Sequence, residues 1–330
     1  MTLEDAMLDE AARILEEAED VALVCHVNPD PDAMGSMLGL AGFLARRGKK
    51  VAATWPNDPA ERPRWVDALG NVELIVTPKQ MPKDPAVLVT LDAADANRLN
   101  GMIHLLERAG TSICIDHHRT NPGFAKVNLI DPDASSTAEV VFRLIERMGG
   151  GMSDEDAKSL YAGIVTDTGR FQYEAATPET LRVGAALRER DFDHARLAQA
   201  LYEDSSFAAI GLLAKALDRA ELDPDLRLVW TWITRKDLEE AGVPIQETDD
   251  MIDAIRAARE ADVAAVLKEQ REGGFKVSLR SRGDTNVAEI AEGFGGGGHR
   301  LAAGYSWEGG VDEAVAALRQ ALREQATSTP

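Results

Sequence analysis

The sequence predicts an α/β protein of two domains, and three features of its patterning carry that expectation. The first half alternates short β-branched runs with segments of helical periodicity, as parallel βαβ units do. After Thr177 the pattern turns helical for a long stretch, and from Leu226 strand and helix signals resume. At 330 residues the chain exceeds the size at which one hydrophobic core stops growing, and its 45% hydrophobic residues suffice for two. The expected organisation is a parallel-sheet domain over 1–190, a helical linker over 191–212 and a smaller α/β domain over 213–330.

In chain order, the expected strands of the first domain are 21–26, 50–54, 86–91 and 112–115, each an apolar run of strand length. A helix over 33–47 separates the first two, and Gly48, following Arg46 and Arg47, stops it. Ala157, Leu160, Tyr161, Ile164 and Val165 recur at helical spacing, so a helix over 154–166 delivers Asp167 at its end. PETLRVGAALRER reads as the last helix of this domain, and HARLAQALYED and SFAAIGLLAKALDRAEL as the helical connection. LRLVWTWI, DDMIDAIRAARE, ADVAAVLKE and FKVSLRS then build the second domain. There is no internal repeat, and the one low-complexity run is Gly295 to Gly298.

Thirty-six basic residues against 56 acidic ones give a formal charge of −20, which works against wrapping long nucleic acid through its phosphates. A small phosphorylated ligand in a local pocket suits that balance. Cys25 and Cys114 lie inside apolar strand patterns and read as core thiols with no disulfide. The N-terminus is acidic, and the apolar run after it is too short for a signal peptide or a membrane span. The expectation is a cytoplasmic protein without membrane contact. The five tryptophans, Trp230 and Trp232 among them, read as core or interface residues and not as base-stacking ones.

Four segments place Asp or His where buried strands or helices end. HVNPDPDAMGS sets His26, Asp30 and Asp32 in a turn between a strand and a helix start, where α/β sheets bind ligands; on its own it reads equally as a solvated turn. LDAADANR puts Asp92 after the apolar run AVLVTL, and a carboxylate there needs a partner such as a metal. Asp95 and Arg98 read instead as a structural pair at a helix start. SICIDHHR brings Asp116, His117 and His118 out of another strand, and GIVTDTGRF ends a helix on Asp167. One edge of a parallel sheet would gather all of these. They are more ligand-type side chains than one ion takes, and two ions sharing a carboxylate would use them. Imidazole with carboxylate suits Mn, Zn or Fe, and Asp-rich sets suit Mn or Mg. The Gly295–Gly298 run, with His299 and Arg300 after it, reads as a phosphate-binding loop, because glycine lets backbone N–H groups approach an anion. The alternative is a flexible linker.

HVNPDPDAMGS, TLDAAD, DHH and VTDTGRF, in that order, resemble the four motifs of the DHH phosphoesterase family, and FGGGGHRLAAG preceded by SLRS resembles the signature of the DHH-associated C-terminal domain. The resemblance covers nearly the whole chain. At this length it points to the compact nanoRNases that also act as 3′-phosphoadenosine 5′-phosphate phosphatases. It implies a metal-binding catalytic domain followed by a substrate-binding one. It implies one metal on His26, Asp30 and Asp92 and another on Asp32, Asp92, His117 and Asp167, with manganese expected and magnesium as the alternative. His118 would contact the substrate phosphate, and Asp116 would orient a histidine. Arg280 and Ser281 would contact a terminal phosphate or a base, and Gly296, Gly297, Gly298 and His299 would hold a phosphate.

The implied activity is exonucleolytic degradation of very short RNA to 5′-mononucleotides, with 3′-phosphoadenosine 5′-phosphate as a second substrate. The rivals within the family are a linear or cyclic dinucleotide phosphodiesterase, a manganese-dependent pyrophosphatase and a longer-strand exonuclease; from another class, a non-catalytic nucleotide sensor. Charge disfavours the longer strand, and the retained ligand set disfavours the sensor. A homodimer is compatible with the sequence.

Overall fold

Along β1 (Asp20–Cys25), Val21, Leu23 and Cys25 point into one hydrophobic core and Ala22 and Val24 into another. A strand buried on both faces belongs in a parallel sheet covered on both sides. The computed structural model describes residues 3–57 and 62–328. It divides into two compact units, Met1–Asp204 and Ser205–Pro330, the break falling inside the stretch expected to connect the domains.

The first unit contains α1 (Leu3–Glu17), β1, α2 (Pro31–Arg46), β2 (Lys50–Thr54), β3 (Val87–Leu91), α3 (Leu105–Arg108), β4 (Thr111–Asp116), β5 (Val127–Ile130), α4 (Thr137–Arg147), α5 (Asp154–Asp167), α6 (Pro178–Arg188) and α7 (His194–Tyr202). Its five strands run parallel in the order β2-β1-β3-β4-β5. The order reverses direction at β1 and β3, so the strand ends there open a crevice for ligands. α1, α2, α4 and α5 supply the main core, while α3 and the 3-10 turn over Ala96–Met102 cover the other face. The four expected strands appear within a residue or so of their expected bounds. β5, α1 and α4 are additions to the expected set.

α2 and α5 approach closely because small residues line their contact. A Cβ added at Gly35 would stand 2.3 Å from the Ser159 carbonyl, and one at Gly163 would stand 2.5 Å from Asp32 Oδ1. The second glycine leaves room for a functional carboxylate as well as for a helix.

The second unit contains α8 (Phe207–Asp218), β6 (Glu221–Asp223), β7 (Leu228–Ile233), α9 (Arg235–Ala241), α10 (Met251–Arg256), β8 (Val263–Glu269), β9 (Phe275–Ser281), α11 (Val287–Gly293), β10 (Gly297–His299), β11 (Ala302–Trp307) and α12 (Val311–Ser328). Its sheet has the order β10-β11-β9-β8-β7-β6, antiparallel except for the β7–β8 pair. α11 and α12 cover one face of it. Trp230 is buried in this core, with the Arg319 guanidinium 4.6 Å from its ring centroid.

The glycine run departs from the loop expected for it. Gly297 to His299 form an edge strand against β11, and the N–H groups of Gly295 and Gly296 donate to the Glu292 and Ala291 carbonyls, closing the end of α11. Two of the donors expected to cradle an anion are therefore used within the fold. Gly296 is required by close approach, since a Cβ there would lie 2.2 Å from the Gly304 carbonyl. Cys25 and Cys114 are free and buried, and among the described residues no helix is long and apolar enough to cross a membrane.

Candidate metal centre

The centre is assembled at the C-terminal ends of β1, β3 and β4. His26 follows the last residue of β1, Asp92 the last of β3, and Asp116 ends β4 with His117 and His118 directly after it. Asp30 and Asp32 arrive through the β1–α2 turn. Pro31 begins the helix, and Asp30 caps it by accepting from the Ala33 N–H at 2.9 Å. Asp167 is the last residue of α5.

Two groups of side chains share one carboxylate. Ligand atoms of His26, Asp30 and Asp92 lie within 4.8 Å of one another, and so do those of Asp32, Asp92 and His117. His26 Nε2 is 3.4 Å from Asp92 Oδ2 and 3.7 Å from Asp30 Oδ2. His117 Nε2 is 3.6 Å from Asp92 Oδ1 and 3.2 Å from Asp167 Oδ2. Asp92 stands between the groups with a positive φ of 57°, a left-handed conformation that Asp tolerates at a local cost and that recurs at functional positions.

Asp116 has a different environment. Its Oδ1 accepts from the His117 N–H at 2.9 Å and bonds His118 Nδ1 at 2.7 Å, and its Oδ2 accepts from Asn121 Nδ2 at 2.6 Å. Both oxygens are occupied by protein groups, which suits a carboxylate that fixes a histidine ring.

As protein groups alone, these side chains are in electrostatic conflict. Burial opposes a charge on His26, yet hydrogen bonds and charge from Asp30 and Asp92 outweigh it and lift its pKa to about 10. Burial also opposes charge on His118, and the bond to Asp116 with the nearby carboxylates raises it to about 9. At Asp92 burial works against ionisation, but the His26 bond and the imidazole charges hold its carboxyl far below the usual range. Asp32 and Asp167 move upward, first through burial and then through neighbouring carboxylates. Buried carboxylates that resist ionising beside one another are stabilised as anions by a divalent cation. The mixed imidazole and carboxylate donor set fits such a cation.

The sequence reading missed three contributors. The backbone N–H groups of Thr137 and Ala138, at the start of α4, donate to Asp32 Oδ2 and Oδ1 at 2.7 and 2.9 Å, and Thr137 Oγ1 donates to Asp92 Oδ1 at 2.9 Å. The positive end of that helix thus faces the carboxylates. Its signal was present as Ser136 followed three residues later by Glu139 ahead of an apolar run; the Ser136 hydroxyl does accept from the Glu139 N–H. Arg98, expected to pair with Asp95, has its Nη2 3.0 Å from His26 Nδ1, while Asp95 caps its turn through the Asn97 N–H. Asn121, on the loop after the two histidines, is the third.

In the second unit, Arg280 on β9 and His299 on β10 both pair with Ala302, one on each side of β11. Ser281 is fully buried, and strand alternation puts its side chain on the opposite face of the sheet from Arg280.

The DHH family, N-terminal domain, matches residues 20–166, and the DHHA1 domain matches residues 231–327. The bifunctional oligoribonuclease and PAP phosphatase NrnA of Thermus thermophilus is 36% identical over 319 residues, covering 96% of this chain and 93% of the relative. The cyclic-di-AMP phosphodiesterase GdpP of Geobacillus thermodenitrificans is 29% identical over 94% of this chain, which spans 48% of that protein. The crystal structure of an exopolyphosphatase-related protein from Bacteroides fragilis superposes with a TM-score of 0.89 at 28% identity, covering 97% of this chain and 96% of the other.

Proposed function

This chain belongs to the DHH family, a phosphoesterase with a DHHA1 domain, and from that premise we propose that it degrades very short RNA to 5′-mononucleotides and removes the 3′-phosphate of 3′-phosphoadenosine 5′-phosphate. The observation that carries the reading is the pair of His and Asp groups meeting at Asp92. His26, Asp30 and Asp92 would hold one divalent cation, and Asp32, Asp92, His117 and Asp167 the other. Manganese fits the mixed nitrogen and oxygen donors, with magnesium as the alternative. Such a pair supplies an activated water for in-line attack on phosphorus and neutralises developing charge.

The protein's own groups do the positioning. The N-terminus of α4 fixes both oxygens of Asp32, and Thr137 fixes Asp92, so the shared carboxylate keeps one orientation. Asp116 bonds His118 at Nδ1, so the proton that His118 offers a phosphate is the one on Nε2. Arg280 and His299 would contact phosphates of the substrate from the second unit. A NrnA relative aligned along nearly its whole length supports short RNA and the bisphosphate as substrates.

A second reading, hydrolysis of a linear or cyclic dinucleotide, is supported by the alignment of GdpP over 94% of the chain. Turnover of an RNA dinucleotide, 3′-phosphoadenosine 5′-phosphate, cyclic di-AMP and pyrophosphate on one preparation separates the readings. Preference for the first two sustains the proposal; preference for the cyclic dinucleotide or pyrophosphate replaces it.

A further inference from the structure

The stretch from Ala134 to Ala138, between β5 and the first turn of α4, touches three members of the candidate metal centre. The Ala134 carbonyl lies 3.4 Å from His117 Nδ1, an acceptor that keeps the imidazole proton there and leaves Nε2 without one. Thr137 bonds Asp32 and Asp92, and the Ala138 N–H bonds Asp32. Ser136 caps the helix. Ser135, buried between these contacts, turns toward Glu139: its Oγ donates to Glu139 Oε2 at 2.6 Å, and its N–H donates to the same oxygen at 3.3 Å.

Glu139 itself is 3% exposed, in the first turn of α4. Thr180 Oγ1, in the first turn of α6, donates to its Oε2 at 2.9 Å, and Arg143 Nη2 stands 4.0 Å from its Oε1 while bonding Asp131 more closely. One carboxylate thus ties together the loop before α4, the helix, and α6, which follows Asp167 in the chain. Burying a carboxylate costs desolvation that an apolar side chain would avoid, so its contacts must offset that cost. A glutamine could not reproduce them. Whichever way its amide faced, N–H groups would meet either the Ser135 N–H and two hydroxyls or the Arg143 guanidinium.

We propose that Glu139 is a positioning residue of the metal centre, clamping Ser135 so that the Ala134–Ala138 segment presents His117, Asp32 and Asp92 to a cation in one geometry. The inference rests on the two-cation reading above and adds to it a residue that touches neither cation nor substrate. Groups that hold metal ligands in place from behind typically contribute about 10- to 100-fold to metal affinity.

The test compares full-length wild type, Glu139→Gln, Ser135→Ala, the double variant and Ser159→Ala. The last removes another buried serine hydroxyl of the same unit, one that bonds the Gly70 backbone at 2.9 and 3.1 Å. Manganese affinity of chelator-stripped protein is measured by calorimetry, and stability by urea unfolding in chelator. Glu139→Gln and Ser135→Ala should each weaken at least one of the two manganese equivalents by about 10- to 100-fold. The double variant should bind no more weakly than Glu139→Gln alone, because both changes open one clamp. Ser159→Ala should lower stability and leave both affinities at the wild-type value. Wild-type affinities in Glu139→Gln and Ser135→Ala, an equal loss in Ser159→Ala, additive losses in the double variant, or a wild type that takes up no manganese overturns the proposal. Should Glu139→Gln fail to fold, Ser135→Ala against Ser159→Ala decides on the same terms. A wild type that binds manganese but hydrolyses neither short RNA nor the bisphosphate retires the functional reading instead, and the affinities still decide the role of Glu139.

Discussion

Gly163→Ala places one methyl group where α5 meets the metal centre. The added carbon would stand 2.5 Å from Asp32 Oδ1, 2.8 Å from Ala138 Cβ and 3.1 Å from Asp32 Cα. Relief to an ordinary contact of 3.4 Å requires Asp32 Oδ1 to retreat by about 0.9 Å, or α5 to move away from α2 and α4. Asp32 has little freedom, because both its oxygens accept backbone N–H groups of α4. Alanine favours a helix by up to about 1 kcal/mol over glycine, which offsets part of an overpacking cost of about 1–3 kcal/mol. The net change in stability should therefore be small. A displacement near 1 Å in a positioned ligand costs catalysis about 100-fold. Manganese-dependent turnover of a small phosphodiester, read beside a urea unfolding curve, tests this. The expected outcome is an activity loss of about 100-fold with a shift of under 2 kcal/mol in unfolding free energy. Activity within threefold of wild type would refute the claim that Gly163 exists to admit Asp32, as would a loss explained wholly by unfolding.

Two further predictions follow from charge. In chelator-stripped protein, where burial is outweighed by the Asp116 bond and the neighbouring carboxylates, which raise the His118 pKa to about 9, Asp116→Asn should lower the pH at which its imidazole titrates, followed by NMR, by roughly one to three units; a titration that stays in place assigns the shift to the other carboxylates. Asp237, 3% exposed, bonds Arg219, Lys215 and the Thr234 cap, and the Arg219 bond, ahead of the others, holds its carboxyl well below the usual range. A depressed folded-state pKa gives stability that is present above the unfolded value of about 4 and lost as pH falls below it. Asp237→Asn should thus cost roughly 2–4 kcal/mol at pH 7 and less at pH 3, measured by urea unfolding; an equal cost at both pH values would mean that shape, not charge, holds the site.

Much of the centre was legible because its residues sit where local pattern changes. β1, β3 and β4 are mostly apolar and buried, so the His or Asp at or just past the end of each is conspicuous, and a parallel sheet brings those ends together. What was not legible depends on contacts far apart in sequence. Asp32 is held by N–H groups more than 100 positions away, and backbone donors leave no residue-type signature. β5 is a four-residue edge strand that is only half buried, too short for alternation to declare it. The strand at Gly297–His299 runs against glycine's low strand propensity, and its pairing with β11 decides it. Arg98 looked like a turn residue because its distance to Asp95 is local, whereas its approach to His26 spans 72 positions.

Two cation sites joined through Asp92 would bind manganese in a fixed ratio, and manganese stoichiometry tests that directly. Chelator-stripped wild type, titrated by calorimetry, should take up two equivalents per chain. Asp92→Ala should retain its fold by circular dichroism, lose high-affinity binding of both equivalents and show no detectable hydrolysis. Uptake of two equivalents by Asp92→Ala with wild-type affinity, or a tenth or more of wild-type turnover at limiting manganese, would contradict the shared-carboxylate centre.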